Sequence, residues 1–238
     1  KSKFMTDPEI LNLYMLQSDN VRALWRVKTV LIKDINYQLR KSDDFQVGIK
    51  TKLLSLVYSA WSEAQFLQIV YTPKGFMYSE IVKIKEHKER HGISVAWRFL
   101  LEEAMKKVGD TSLNKDLKKR LQTLIQLIDK FIEEPSILRN KIAHGQWVHA
   151  LNRENTAKNQ DITNQLSSLD PVEIERRFEI HRYLGFIVRD LIQSPKAGFH
   201  RHYWTNIVNL EMYTQKTANW SATTRKIKLS VKPISYIK

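Results

Sequence analysis

The sequence predicts an all-α protein with a small β or irregular extension at its C-terminal end. Three observations lead there. Gly and Pro number only seven and six in 238 residues, well under their ordinary combined share of about 12%, so the chain turns rarely and runs in long segments. Apolar residues recur at spacings of three and four through most of its length, the period of a helix face. Near the end the period changes: Lys226, Ile227, Lys228, Leu229, Ser230, Val231 and Lys232 alternate strictly, as a strand with one wet basic face does.

Ser18, Asp19 and Asn20 offer a cap for a helix over residues 21–39, whose apolar side is Val21, Leu24, Trp25, Leu31, Ile32, Ile35 and Leu39. Ser42, Asp43 and Asp44 mark a break. The next helix runs to residue 70 and is apolar around most of its circumference, which makes it the buried central helix. Thr72, Pro73, Lys74 and Gly75 end it by turn chemistry. Residues 76–92 are charged and read equally as a short helix or a loop. A helix over 94–108 stops at Gly109. In 113–134, Leu117, Leu121, Leu124, Ile128 and Phe131 form a packing seam, and Pro135 is expected to end it, with a short helix starting near Ser136. Residues 146–169 read as a polar, Asn-rich loop with a short extended piece over 146–151. Asp170 and Pro171 open a long helix ending at Ser194 and Pro195, with Glu173 placed for a capping box. The organisation is a helical extension over 1–45, a helical domain over 46–195, and a C-terminal extension with a short basic strand over 196–238.

Composition narrows the function classes. Without Cys there is no disulfide framework, thiolate zinc site or cysteine nucleophile. The most apolar stretch, 53–70, is interrupted by Ser55, Ser59, Ser62, Glu63, Gln65 and Gln68, so no membrane span is expected. Acids at Asp7 and Glu9 stand where a signal peptide would be apolar, and the expected location is the cytoplasm. Neither a phosphate-cradling Gly loop nor a nucleophile elbow occurs. His87 and His91 are four apart, but Lys88 replaces the Glu of a zinc-protease helix; a solvated face is the simpler reading, and no metal or other cofactor is expected. His200, Arg201 and His202 read as surface or nucleic-acid contacts. Trp147, Trp204 and Trp220 suit either base stacking or a core. The net charge of +14 points to a polyanionic partner.

Residues 136–145 hold the chemistry. Ile137, Leu138, Ile142 and Ala143 anchor a short helix, and Arg139, Asn140, Lys141 and His144 are polar groups close to that anchor. Residues four apart on a helix lie about 40° apart and five apart about 140°. Asn140 is thus placed to orient His144 by a side-chain hydrogen bond, and Arg139 has the length to swing toward the same cleft. Gly145 lets the helix end at His144. The alternative is a salt-bridged Arg and a helix-capping His.

The segment Arg139-Asn140-Lys141-Ile142-Ala143-His144 resembles the Arg-x4-His signature of the HEPN superfamily of helical ribonucleases. Tyr58, Trp61 and Glu63, spaced Tyr-x-x-Trp-x-Glu, are similar to that family's first core helix, and the flanking helices fit over residues 50–195. The resemblance implies a HEPN-like bundle and metal-independent cleavage of RNA. Arg139 would stabilise the phosphate, and His144 would serve as general acid and base. Asn140 and Glu63 would support them, and Lys141 would touch the RNA backbone. It also implies a homodimer with a composite site, an antitoxin or regulatory partner, and a role as a toxin or anti-phage defence effector. The chemistry is coherent, because RNA brings its own 2′-OH nucleophile and an imidazole trades protons near neutral pH. Gln146 stands where toxins of one branch carry a Tyr two residues after the His, so control by modification of that Tyr is not expected. A non-catalytic RNA- or DNA-binding or scaffold module is the other reading of the same charge.

Overall fold

The computed structural model describes residues 4–231 and is all-α. Among the described residues no strand forms; an isolated bridge pairs Leu151 with Lys158.

The first helix, α1, spans Asp7–Lys41 and starts well before the expected cap. Pro8 stands in its first turn and the Glu9 carboxylate accepts the Thr6 backbone N–H at 2.8 Å, a stronger start signal than Ser18 provides. Ser18 instead returns its hydroxyl to the Tyr14 carbonyl at 2.7 Å inside the helix. Helix α2, Asp44–Val70, is capped by Asp43, which accepts from the Gln46 N–H at 3.0 Å. It is the central helix, burying Leu54, Tyr58, Trp61, Phe66 and Ile69. The charged stretch after it is helical: α3, Tyr78–His91, followed by α4, Ile93–Met105.

Helix α5, Lys115–Ile128, ends before Pro135. A π-turn, Asp129–Glu133, follows it directly and hands the chain to α6, Glu134–Ala143, with Pro135 in the first turn of α6. The wide turn takes up the break in bonding that a proline imposes, so the chain continues without a sharp stop. Tyr58 of α2 donates its hydroxyl hydrogen to the Phe131 carbonyl in this turn, fixing where α6 sets out. The extended piece expected over 146–151 is an irregular loop, and α7, Gln160–Ser167, occupies part of the polar stretch. Asn159 starts α7 by accepting the Ile162 N–H at 3.0 Å.

Helix α8, Pro171–Gln193, is capped by Asp170, which accepts from the Val172 N–H at 2.7 Å. Glu173 completes no capping box; its carboxylate pairs with Arg176 and Arg177 one turn on. Beyond it lie α9, Gly198–Lys216, and α10, Ala222–Ser230. The basic strand expected over 226–232 is therefore replaced by helix up to Ser230, and Lys232 lies outside the described residues. Local chemistry overrides the alternation. Ser221 and Thr224 cap α10 reciprocally, Asp170 accepts the Ala222 N–H at 2.8 Å, and Leu229 packs on the core while Ile227 stays exposed. Acids reach this segment from other helices: Arg225 pairs with Glu175 at 2.7 Å and Lys226 with Asp44 at 3.7 Å.

The main core joins α2, α4, α5, α8 and α9 around Phe66, Trp97, Leu124, Leu184 and Phe199. A second cluster seats α1 on α2 and α8 through Ile35, Leu54, Trp61 and Phe178. A small satellite of Leu138, Ile142, Ala150 and Leu166 holds α6, α7 and the loop between them.

Candidate functional site

The far end of α6 stands on that satellite. Leu138 and Ile142 face inward, and Leu56 of α2 packs against them. Leu56 and Glu63 are seven apart, two helical turns, so one face of α2 brings an apolar anchor and a carboxylate to α6. The Arg139 guanidinium donates to Glu63 Oε1 at 2.6 Å, and Lys88 Nζ of α3 approaches Glu63 Oε2 at 3.3 Å. Arg139 Nε is buried with no partner. Both side chains of the Arg139–Glu63 pair are about a third exposed, 28% and 33%. An ion pair that wet contributes at most about 1 kcal/mol to stability.

His144 caps the C-terminus of α6, with φ −92° and ψ 21°, and Gly145 follows in the left-handed region at φ 79°. That glycine lets the Gln146 N–H turn back to the Lys141 carbonyl at 2.9 Å. The Trp147 indole N–H closes the Ile142 carbonyl at 3.0 Å. Trp147 is thus a packing and capping residue, and it sets the helix end where His144 sits.

The His144 imidazole is exposed and has no hydrogen bond among the described residues. It opens on a groove of about 720 Å³ lined also by Asn140, Lys141, Asn152, Arg153 and Asn155. No carboxylate lines this groove. The Asn-rich loop that walls it is held by its own side chains. Lys141 Nζ donates to the Leu151 carbonyl at 2.6 Å, Gln146 Oε1 accepts the Leu151 N–H at 2.8 Å, and Asn152 Oδ1 accepts the Thr156 N–H at 2.9 Å.

The structure brings Glu63 and Arg139 together, and gathers Asn140, Lys141 and His144 around one groove. It does not merge the two sets. Arg139 faces α2 while His144 faces the loop, as their spacing of five residues dictates. Asn140 does not orient the imidazole by its side chain. Its carbonyl accepts the His144 backbone N–H at 3.1 Å instead. Lys141 is engaged in bracing the loop, with part of its donor capacity spent there. Arg153 and Lys88 are cations that sequence reasoning missed, since only the folded loop and α3 place them at this end.

The remaining singled-out groups are placed elsewhere. His87 stacks on Phe99 with ring centres 4.2 Å apart, and His91 lies beside it. His202 contacts Asp190 at 3.0 Å, and His200 lies 3.4 Å from Arg120. Trp204 and Trp220 remain substantially exposed, at 50% and 39%. No group of three or more His, Asp or Glu side chains able to hold a metal ion occurs among the described residues, and none of their helices is long and apolar enough to cross a membrane.

Neither family models, nor curated proteins, nor solved structures yield a match to this chain.

Proposed function

We propose that the protein is a metal-independent endoribonuclease of the HEPN type. The observation that carries this reading is the end of α6: the Arg139-to-His144 segment finishes with an exposed imidazole in a groove without carboxylates. In the proposed reaction His144 takes the proton of a ribose 2′-OH as the oxygen attacks the adjacent phosphorus. The P–O5′ bond breaks, the protonated His144 imidazole in its acid role gives a proton to the leaving 5′-oxygen, and the products are a 2′,3′-cyclic phosphate and a 5′-hydroxyl. Arg139 supplies donors to the phosphate as charge builds, with Glu63 as the group that positions it. Arg139 and His144 face different ways in one chain, so the reading calls for two protomers that complete a composite site. A toxin or anti-phage defence role within the cytoplasm, with an antitoxin or regulator, belongs to the same proposal.

The Arg139–Glu63 ion pair favours a second reading. An Arg committed to a structural carboxylate leaves a basic module that binds RNA or DNA without cutting it. RNA cleavage in EDTA by wild type, Arg139→Ala and His144→Ala separates the two. The ribonuclease reading expects each substitution to lower the rate by about 10²–10⁴, with the melting temperature held. Equal rates in all three overturn the ribonuclease reading, and salt-dependent binding with no cleavage selects the binding module.

A further inference from the structure

A second groove lies on another part of the molecule, between α1, α2 and α8, with a volume of about 350 Å³. That is within the range of small-molecule sites, about 300–1,000 Å³. Its aromatic lining is Trp25 from α1 and Phe186 from α8, over the buried Trp61 of α2, which packs on Trp25 with ring centres 5.7 Å apart. Gly185 lets the Gln65 amide pack close to α8, because a Cβ there would come within 2.6 Å of its nitrogen.

Two polar groups at the floor are unsatisfied. Gln65 is 8% exposed and Trp61 is 1% exposed, and both line the groove. Gln65 Oε1 and Trp61 Nε1 have no hydrogen-bond partner. The two residues are one turn apart on α2, and a buried acceptor and a buried donor without partners each carry a desolvation cost that a ligand edge with matching groups would relieve.

The rim is cationic. Arg22 and Arg26 are one turn apart on α1, Arg182 and Arg189 two turns apart on α8, and no acid lines the groove. Arg22 and Arg182 are paired with Asp19 and Glu179, but Arg26 and Arg189 have no ion-pair partner among the described residues. The Arg182 guanidinium lies 5.8 Å from the Trp25 ring and 5.9 Å from Phe186.

We propose that this groove binds a nucleotide, its base against the Trp25 and Phe186 rings with its edge toward Gln65 and Trp61, and its phosphate on the arginine rim. The combination selects that class. An aliphatic carboxylate would suit the rim and the apolar walls, but it would leave Gln65 and Trp61 unmet. A bare phosphate would use the rim alone. A free mononucleotide and a base of an RNA strand share the recognised chemistry. The site does not depend on the ribonuclease reading, since none of its residues belongs to the α6 groove.

The test is calorimetric titration of the full chain with AMP, GMP, CMP and UMP, with ribose 5-phosphate and decanoate as controls and a uridine hexamer as the strand arm. At least one mononucleotide, or the hexamer, is expected to bind saturably. Affinity is expected to fall by about tenfold or more in the rim variant Arg26→Glu/Arg189→Glu and in the floor variant Gln65→Leu. Mononucleotide binding assigns a free ligand, and binding of the hexamer alone assigns a base within a strand. The proposal is overturned if none of these binds, if ribose 5-phosphate or decanoate binds as tightly, or if the rim variant, folded by circular dichroism, binds as wild type does.

Discussion

His144 and His181 are the same side chain in opposite surroundings. His181 lies at the middle of α8, fully buried, with its ring 5.0 Å from Trp61 and 5.5 Å from Trp97. Its Nδ1 is 3.2 Å from the Tyr58 hydroxyl, whose only hydrogen is given to the Phe131 carbonyl. The imidazole is therefore the donor through Nδ1, which leaves Nε2 as an acceptor with no partner. Burial pushes its pKa down to about 3, so it stays neutral and works as a spacer in the core. His144 stands at a helix end on a small satellite cluster, open to water and free of a hydrogen-bond partner among the described residues. A histidine in a motif gains chemical meaning from that contrast. Proton exchange with a substrate needs access, which α6 provides and α8 denies.

The two regions are also linked. Tyr58 and His181 hold the π-turn from which α6 departs, so the buried pair positions the exposed residue. Substitutions should divide accordingly.

The largest stability loss is expected for His181→Ala. It leaves a cavity and strips Tyr58 of its donor, a cost of about 2–4 kcal/mol in urea melts; a loss below about 0.5 kcal/mol would break the comparison. Next comes pH. The folded-state pKa of His181 lies below that of the unfolded chain, about 6.5, so the unfolded state binds more protons as pH falls. Stability is full above that value and is lost on acidification, by up to about 1.4 kcal/mol per pH unit and about 2 kcal/mol at pH 5. Melts at pH 7, 6 and 5 measure it, and His181→Gln should flatten that slope. Tyr58→Phe is expected to cost about 1–3 kcal/mol, because the Phe131 carbonyl and His181 Nδ1–H both lose a partner. Smallest is Glu63→Gln, under about 1 kcal/mol for a partly exposed pair. If Glu63 positions Arg139, this variant nevertheless slows cleavage severalfold, a split between stability and rate that a purely structural ion pair would not give.

Much of the helical frame was legible because it depends on signals that act locally. The seam Leu117, Leu121, Leu124 and Ile128, the Asp170 cap and the Asp43 break all stand where the residues put them. The misreadings came from local signals outweighed by competing ones. Ser18, Asp19 and Asn20 look like a cap, yet Pro8 and Glu9 start the helix earlier. Pro135 looks like a terminator, yet the π-turn absorbs it. The alternation from Lys226 onward looks like a strand, yet the Ser221–Thr224 cap and docking of Leu229 make a helix.

At the candidate site the sequence singles out residues 136–145 but not the groups that pack around them. Spacing placed Asn140 one turn from His144, as it is, but the side-chain bond fails because His144 has left helical geometry. A salt-bridged Arg139 is one of the two readings the segment allows, but its pairing with Glu63 is not legible, since no local pattern joins positions 76 residues apart. Lys88 and Arg153 arrive through tertiary packing, which leaves no local trace. The arginines of the second groove did leave one: spacings of four on α1 and seven on α8 put each pair on a single helix face.

The central claim is that the end of α6 cuts RNA through its own 2′-OH. The most direct measurement is end-group analysis of a labelled RNA incubated with the wild-type protein in EDTA, beside the same strand with 2′-O-methyl groups throughout. The account predicts fragments ending in 2′,3′-cyclic phosphate from the first strand and none from the second. Intact RNA, fragments with 3′-hydroxyl ends, or cutting of the methylated strand would contradict it.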